Sequence, residues 1–328
     1  HYENVAYFNF ETNPKLNETF EENISPDYLI PILSHIAGQT IVTEKTLIVF
    51  DEIQLCERAL TSLKYFYEER PDYHIIVAGS LLGVAVNRAR FSFLVGKVDM
   101  KTLYPMDLEE FMIAMGENSL VDQIKKCFET NESMPSALHD AAMQLYRQYL
   151  VVGGMPECVM QFAETKDYIL IRHTQDTILA SYLNDMSKYN NLNEIKKTRL
   201  AYDNITVQLS KKNTRFQYKL IKKGGRASEF ENAIEWLCLS GIVSQVYKVE
   251  QIRKPLENYR DIDTFKIYVS DLGLLCAKKD IVANDVLYMV EELNDFKGGM
   301  VENYVNVQLT INGYNTYYWK TERGAEID

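Results

Sequence analysis

The chain has 328 residues, 46% of them hydrophobic, and a formal net charge of −11. That is ample for a sizeable core and long enough for two or three domains, and the acidic balance argues against a nonspecific coat for nucleic acid. No apolar run approaches the length of a membrane span, no signal-peptide pattern opens the chain, and five scattered cysteines without a CxxC pair read as reduced cytosolic thiols, with no zinc site or disulfide framework.

The first residues, HYENVAYFNFE, lack an initiator Met and head straight into a strand, and the last, GAEID, read as mid-strand. Flanking sequence is therefore expected at both ends. Val5 to Phe10 alternates and is rich in aromatics, so it reads as a strand. Pro26 to Ala37 reads as a helix with Ser25 as its cap. Leu47 to Phe50 is a short continuous apolar run, the pattern of a strand buried on both faces of a parallel sheet. Cys56 to Glu69 reads as a helix closed by Arg70-Pro71. His74 to Ser80, HIIVAGS, is a second apolar strand, and Lys97 to Leu103 a further one, followed by Pro105 and a helix. Strands alternating with helices of this length predict a doubly wound parallel sheet, hence an α/β fold.

From about residue 107 to 197 the pattern is helical. It is interrupted by YLVVGGMPE, Tyr149 to Glu157, where Gly153-Gly154 and Pro156 require a turn. Two or three helices then lead to strands at Ile242–Val249 and Phe265–Val269. A helix over Val301–Thr310 precedes the strand YNTYYWK. The expected division is 1–110, 111–195, 196–275 and 276–328.

Three constellations could carry chemistry. In the first, LIVF runs directly into Asp51 and Glu52, and the next strand ends at Ser80. Ligands of open parallel sheets sit at the carboxyl ends of strands. There Asp51 would hold Mg²⁺ through water, Glu52 would orient an attacking water as general base, and Ser80 would sense a γ-phosphate. The alternative is an ordinary strand followed by an acidic loop. The second constellation is KKNTRFQYKLIKKGGR, with seven basic residues (Lys211, Lys212, Arg215, Lys219, Lys222, Lys223, Arg226) and no acidic one. With the following helix and two strands it resembles a winged helix-turn-helix, a module that contacts DNA phosphates. Glu229, Glu231 and Glu235 on that helix oppose the reading, and a solvated basic loop is the alternative. The third pairs Glu302, on a helix, with Asp328, at the end of a strand. That is the opening of a PD-(D/E)xK nuclease core, in which two carboxylates bind Mg²⁺.

LIVFDEIQ, IIVAGSLLG and FSFLVGKVDMKTLYPMDLEEF together resemble a prokaryotic family of AAA+-superfamily P-loop ATPases. YLVVGGMPECV and KIYVSDLGLL are similar to that family's C-terminal domain of unknown function. The resemblance implies a P-loop-type domain lacking its first strand and phosphate loop, a helical middle, a winged-helix-like segment and a truncated nuclease-like end. It makes LIVFDE the Walker B strand and the AGS strand the bearer of the first sensor. It also implies ATP and Mg²⁺ as cofactors and a homo-oligomer, while DNA as a partner rests on the basic segment 211–226; Arg88 and Arg90 are candidate arginine fingers acting on a neighbouring subunit, with plain surface arginines as the favoured alternative. One departure matters: no GxxxxGK[ST] run occurs, and the family pattern places that loop upstream of His1.

Overall fold

The computed structural model describes residues 1–79, 96–188, 192–209, 215–321 and 324–327, which fall into two compact units, 1–102 and 103–328.

The first unit is built on three parallel strands, β1 (Asn4–Asn9), β2 (Thr46–Asp51) and β3 (His74–Val77), in that spatial order. Helices at Pro14–Glu22, Pro26–Ala37 and Glu57–Glu69 connect them. The core gathers one face of the sheet, Ala6, Phe8, Ile48 and Phe50, with Leu16, Phe20, Leu29, Leu33, Ala59 and Phe66. Phe50 lies at its centre, its ring 5.7 Å from Phe20 and 5.8 Å from both Phe8 and Phe10, in the tilted and edge-on arrangements aromatic rings favour.

Two expectations need correction here, and a third holds in position. Leu47 and Val49 are only half-buried, and Val5, Tyr7 and Ile76 on the same side are exposed, so β2 is not buried on both faces. The continuous apolar run hid a period-2 alternation in which Thr46, Ile48 and Phe50 point into the core. Ser25 does occupy the N-cap of Pro26–Ala37, but its hydroxyl makes no capping bond; its carbonyl accepts from Tyr28 and Leu29 instead. The strand expected at Lys97–Leu103 is irregular chain. Lys97 is spent on an ion pair with Glu68, Val98 packs on the core, and Leu103 is 96% exposed, so no face of an alternating strand is buried.

The second unit begins with helices at Leu108–Ala114, Asn118–Thr130, Ser136–Val152, Pro156–Thr165, Tyr168–Lys188 and Leu192–Leu209. The first opens with a capping box, Asp107 and Glu110 each satisfying the other's backbone N–H. A short helix at Tyr218–Ile221 and a longer one at Ala227–Leu239 lead into β4 (Val243–Val249) and β5 (Arg260–Val269), an antiparallel pair. β6 (Tyr317–Lys320) joins β4 in parallel, and β7 (Glu326–Ile327) pairs antiparallel with β6, giving the order β5-β4-β6-β7. Segments 196–275 and 276–328 thus contribute to one sheet. The helix Asn294–Ile311 docks on it through Asn303, fully buried, whose side chain both donates to the Val269 carbonyl and accepts its N–H at 2.8 Å.

The Gly153-Gly154 turn is explained by close approach. Gly153 has φ 76°, and a Cβ there would lie 2.3 Å from a carboxylate oxygen of Asp271. Asp271, 3% exposed, caps the helix Leu272–Lys278 by accepting from the Leu274 N–H at 2.8 Å. Its other oxygen accepts from the Gly154 N–H at 2.7 Å. Burial pushes the Asp271 carboxyl up to about 6, against the backbone N–H groups of Leu274 and Gly154 that lower it. One carboxylate thus locks YLVVGGMPE to YVSDLGLL.

Candidate functional site

Asp51 is the last residue of β2, and the chain turns sharply after it. Glu52 lies in the left-handed region, φ 53° and ψ 35°, which a residue bearing a Cβ adopts when its surroundings impose it. Those constraints are present. The Ile53 N–H donates to the Ala78 carbonyl at 3.2 Å, and the Leu55 N–H returns to the Glu52 carbonyl at 3.0 Å. The Ala78 N–H donates to the Phe50 carbonyl at 2.8 Å, which ties the chain leaving β3 to the end of β2. Asp51 and Glu52 therefore stand, half-buried, at the carboxyl edge of a parallel sheet, where α/β folds place their ligands.

The carboxylate of Asp51 is held from β1. Its Oδ2 accepts from the Tyr7 hydroxyl and from Asn9 Nδ2 at 3.1 Å, while Oδ1 accepts from the Glu52 N–H at 3.0 Å. The bond to Asp51 is the chief reason the Tyr7 phenol is raised above its ordinary range. The carboxylate of Glu52 accepts from Gln54 Nε2, and Gln54 is itself buried, 8% exposed. Among the described residues no group of three or more His, Cys, Asp or Glu is arranged to hold a metal. Asp51 suits a different donor set: Mg²⁺ commonly takes one or two carboxylates and fills its remaining positions with water and phosphate oxygens. Ser80, Arg88 and Arg90 lie outside the described residues.

Of the basic segment, Arg215, Lys219, Lys222, Lys223 and Arg226 are exposed, and Lys211 and Lys212 lie outside the described residues. Lys222 pairs with Glu229 at 3.1 Å. The helix Ala227–Leu239 buries Phe230, Ala233, Ile234, Trp236 and Leu237 and exposes Glu231 and Glu235.

Glu302 faces a buried ammonium. Lys266, on β5, has a side chain 5% exposed, with Nζ 3.1 Å from Glu326 and 3.5 Å from Glu302. The Tyr268 hydroxyl donates to Glu302 at 3.1 Å, and Lys320 donates to Glu326 at 2.8 Å. Burial raises the Glu326 carboxyl, but the bonds from Lys320 and Lys266 leave it below the usual range. Asp328 lies outside the described residues.

Four residues with a part in these arrangements escaped the sequence reading. Asn9 and Tyr7 were legible only as strand residues, although an Asn closing a strand is a turn signal. Lys266 could have been noticed as a charge inside the apolar run FKIYV, and Asp271 as a capping residue three positions before Leu274.

Comparison with known proteins places this geometry in context. A family model described as an AAA domain matches residues 1–112, and one described as a domain of unknown function matches residues 143–285. A solved structure of a Walker-type ATPase of Pyrococcus abyssi is similar at 12% identity and a TM-score of 0.47, over 84% of this chain and 84% of that chain. No curated protein matches.

Proposed function

We propose that the first unit carries the hydrolytic edge of an AAA+-type ATPase, with ATP as substrate and Mg²⁺ as cofactor. The observation that carries the reading is the Asp51-Glu52 pair at the carboxyl edge of a parallel sheet, inside the segment that matches the AAA domain. Asp51 would meet the ion, and Glu52 would orient the attacking water and take its proton. Bound Mg²⁺ would neutralise charge on the phosphates. Ser80, following β3, would contact the γ-phosphate, and Arg88 and Arg90 are the arginines this reading assigns to a neighbouring subunit. No GxxxxGK[ST] run, the usual backbone cradle for the phosphates, occurs in the sequence, and the test is made on the intact gene product. In Glu52→Gln, Mg²⁺-ATP turnover falls by at least about 100-fold, the usual worth of a general base, while nucleotide binding persists. Undiminished turnover would overturn the assignment.

A second reading concerns DNA. What favours it is the exposed basic turn, Lys219, Lys222, Lys223 and Arg226, immediately before the helix Ala227–Leu239 and the β4–β5 pair, the element order of a winged helix. Its acidic neighbours Glu231 and Glu235 weaken it. No observation favours the nuclease-like reading of Glu302 and Asp328: Glu302 shares the Lys266 ammonium with Glu326, and Asp328 lies outside the described residues.

A further inference from the structure

We propose that Tyr7 and Asn9 are positioning residues for Asp51, occupying Oδ2 of its carboxylate so that Oδ1 is the oxygen presented to the metal of a bound nucleotide. The inference rests on the ATPase reading above and adds to it the two side chains on β1 that set the geometry of the metal-binding carboxylate.

The argument begins with the amide of Asn9. An Asn side chain has an acceptor end and a donor end. Here the acceptor is committed: Oδ1 takes the N–H groups of Glu11 and Thr12, both at 2.9 Å, and the Thr12 hydroxyl at 3.3 Å. The turn after β1 therefore fixes which way the amide faces, and Nδ2 has to point away from it. In the parallel register Asn9 stands directly beside Asp51. The donor end meets Oδ2 at 3.1 Å. Tyr7 lies two residues earlier on β1, hence on the same face of the strand. Its hydroxyl donates to the same Oδ2 and stands 3.5 Å from Asn9 Nδ2.

The lone-pair count then decides the orientation. A carboxylate oxygen has about two lone-pair sites, and Oδ2 meets two donors from β1. Among the described residues Oδ1 accepts one bond, the Glu52 N–H at 3.0 Å, and keeps a place open. The carboxylate is thereby restricted to meeting a cation through one oxygen, at an angle set by β1. Packing does not account for Tyr7, a residue 57% exposed. What the residue contributes that Phe would not is the hydroxyl.

The test uses Mn²⁺ in place of Mg²⁺, titrated by electron paramagnetic resonance into the full-length protein with a non-hydrolysable ATP analogue. Tyr7→Phe removes one donor from an exposed position without opening the core; Asn9→Leu removes the other. Each is expected to raise the Mn²⁺ dissociation constant of the ternary complex about tenfold, the lower end of what loss of an outer-shell partner costs a metal site. Metal-free nucleotide affinity stays at the wild-type value, and kcat falls in parallel with the loss of Mn²⁺. Tyr28→Phe, which removes a tyrosine–carboxylate bond of 2.6 Å to Glu22 elsewhere in the unit, serves as control and leaves Mn²⁺ binding unchanged. Wild-type Mn²⁺ affinity in Tyr7→Phe would overturn the positioning role and leave the ATPase reading standing. Failure of the wild type itself to form a Mn²⁺–nucleotide complex would overturn both.

Discussion

Carboxylates define this protein at the scale of the residue, and their surroundings give each a different task. Asp51 is half-buried and fed by side-chain donors from β1; Glu52 is forced into a left-handed turn beside it. Asp271 is buried and fed by backbone N–H groups, so it acts as a structural lock. Its raised carboxyl carries a pH signature. The unfolded group titrates near 4 and the folded one at about 6, so the folded state holds the proton more tightly. Its contribution to stability is complete below about pH 4 and is lost as pH rises through about 6, a change of about 3 kcal/mol across the window. Denaturant unfolding of the wild type and Asp271→Asn between pH 4 and 7 checks this. The stability of the wild type relative to the variant should decline with rising pH, and a flat difference would refute it. The pairing of Asp51 with Glu52 was legible in the sequence because a continuous apolar run rarely ends on two acids without reason. The hand that holds Asp51 was not, because Asn9 is 42 positions away and meets it only through strand register.

The elements were legible where pattern and punctuation agree. Pro26–Ala37 was placed to the residue because Pro begins it and Gly38, with φ 65°, ends it. Lys97–Leu103 failed because alternation is only a potential strand until a neighbour offers it an edge and a core. Glycines show the same dependence on what lies opposite. Gly298 and Gly299 are adjacent in the helix Asn294–Ile311, yet a Cβ on Gly298 would meet open space, whereas one on Gly299 would lie 2.0 Å from the Leu209 carbonyl oxygen. Gly298→Ala is expected to stabilise the unit by up to about 1 kcal/mol through helix propensity. Gly299→Ala is expected to cost about 2–3 kcal/mol by forcing two helices apart. Opposite shifts of the denaturation midpoint at neighbouring positions would confirm that helix packing, not helix propensity, fixes the second glycine. Equal shifts would contradict it.

For the molecule as a whole, charge is the quantity that composition misreports. The chain carries −11 overall, yet the turn at residues 219–226 is basic and exposed. If that turn contacts DNA phosphates, the logarithm of the affinity falls linearly with that of salt, and reversing Lys222, Lys223 and Arg226 reduces the slope by about 3, near one for each phosphate that a cation had neutralised. Filter binding at several salt concentrations measures it. Weak binding with no salt dependence would assign the turn to solvation and to the Lys222–Glu229 pair alone.

The sequence by itself determined the local matters: the parallel strands, the helical stretch, the glycine turn and the acid pair closing β2. Each rests on periodicity, turn chemistry or a run of neighbours, all of which are short-range. Tertiary structure alone decided what those neighbours cannot specify. It turned Asn9 and Tyr7 toward Asp51 through the register of β1 on β2, enclosed Lys266 between Glu302 and Glu326, and set Asp271 against Gly154. It also joined strands from two expected segments into one sheet. The physical reason is common to all four. Hydrogen bonds and ion pairs between residues far apart in the chain depend on distance in space, and that distance exists only once the elements have packed.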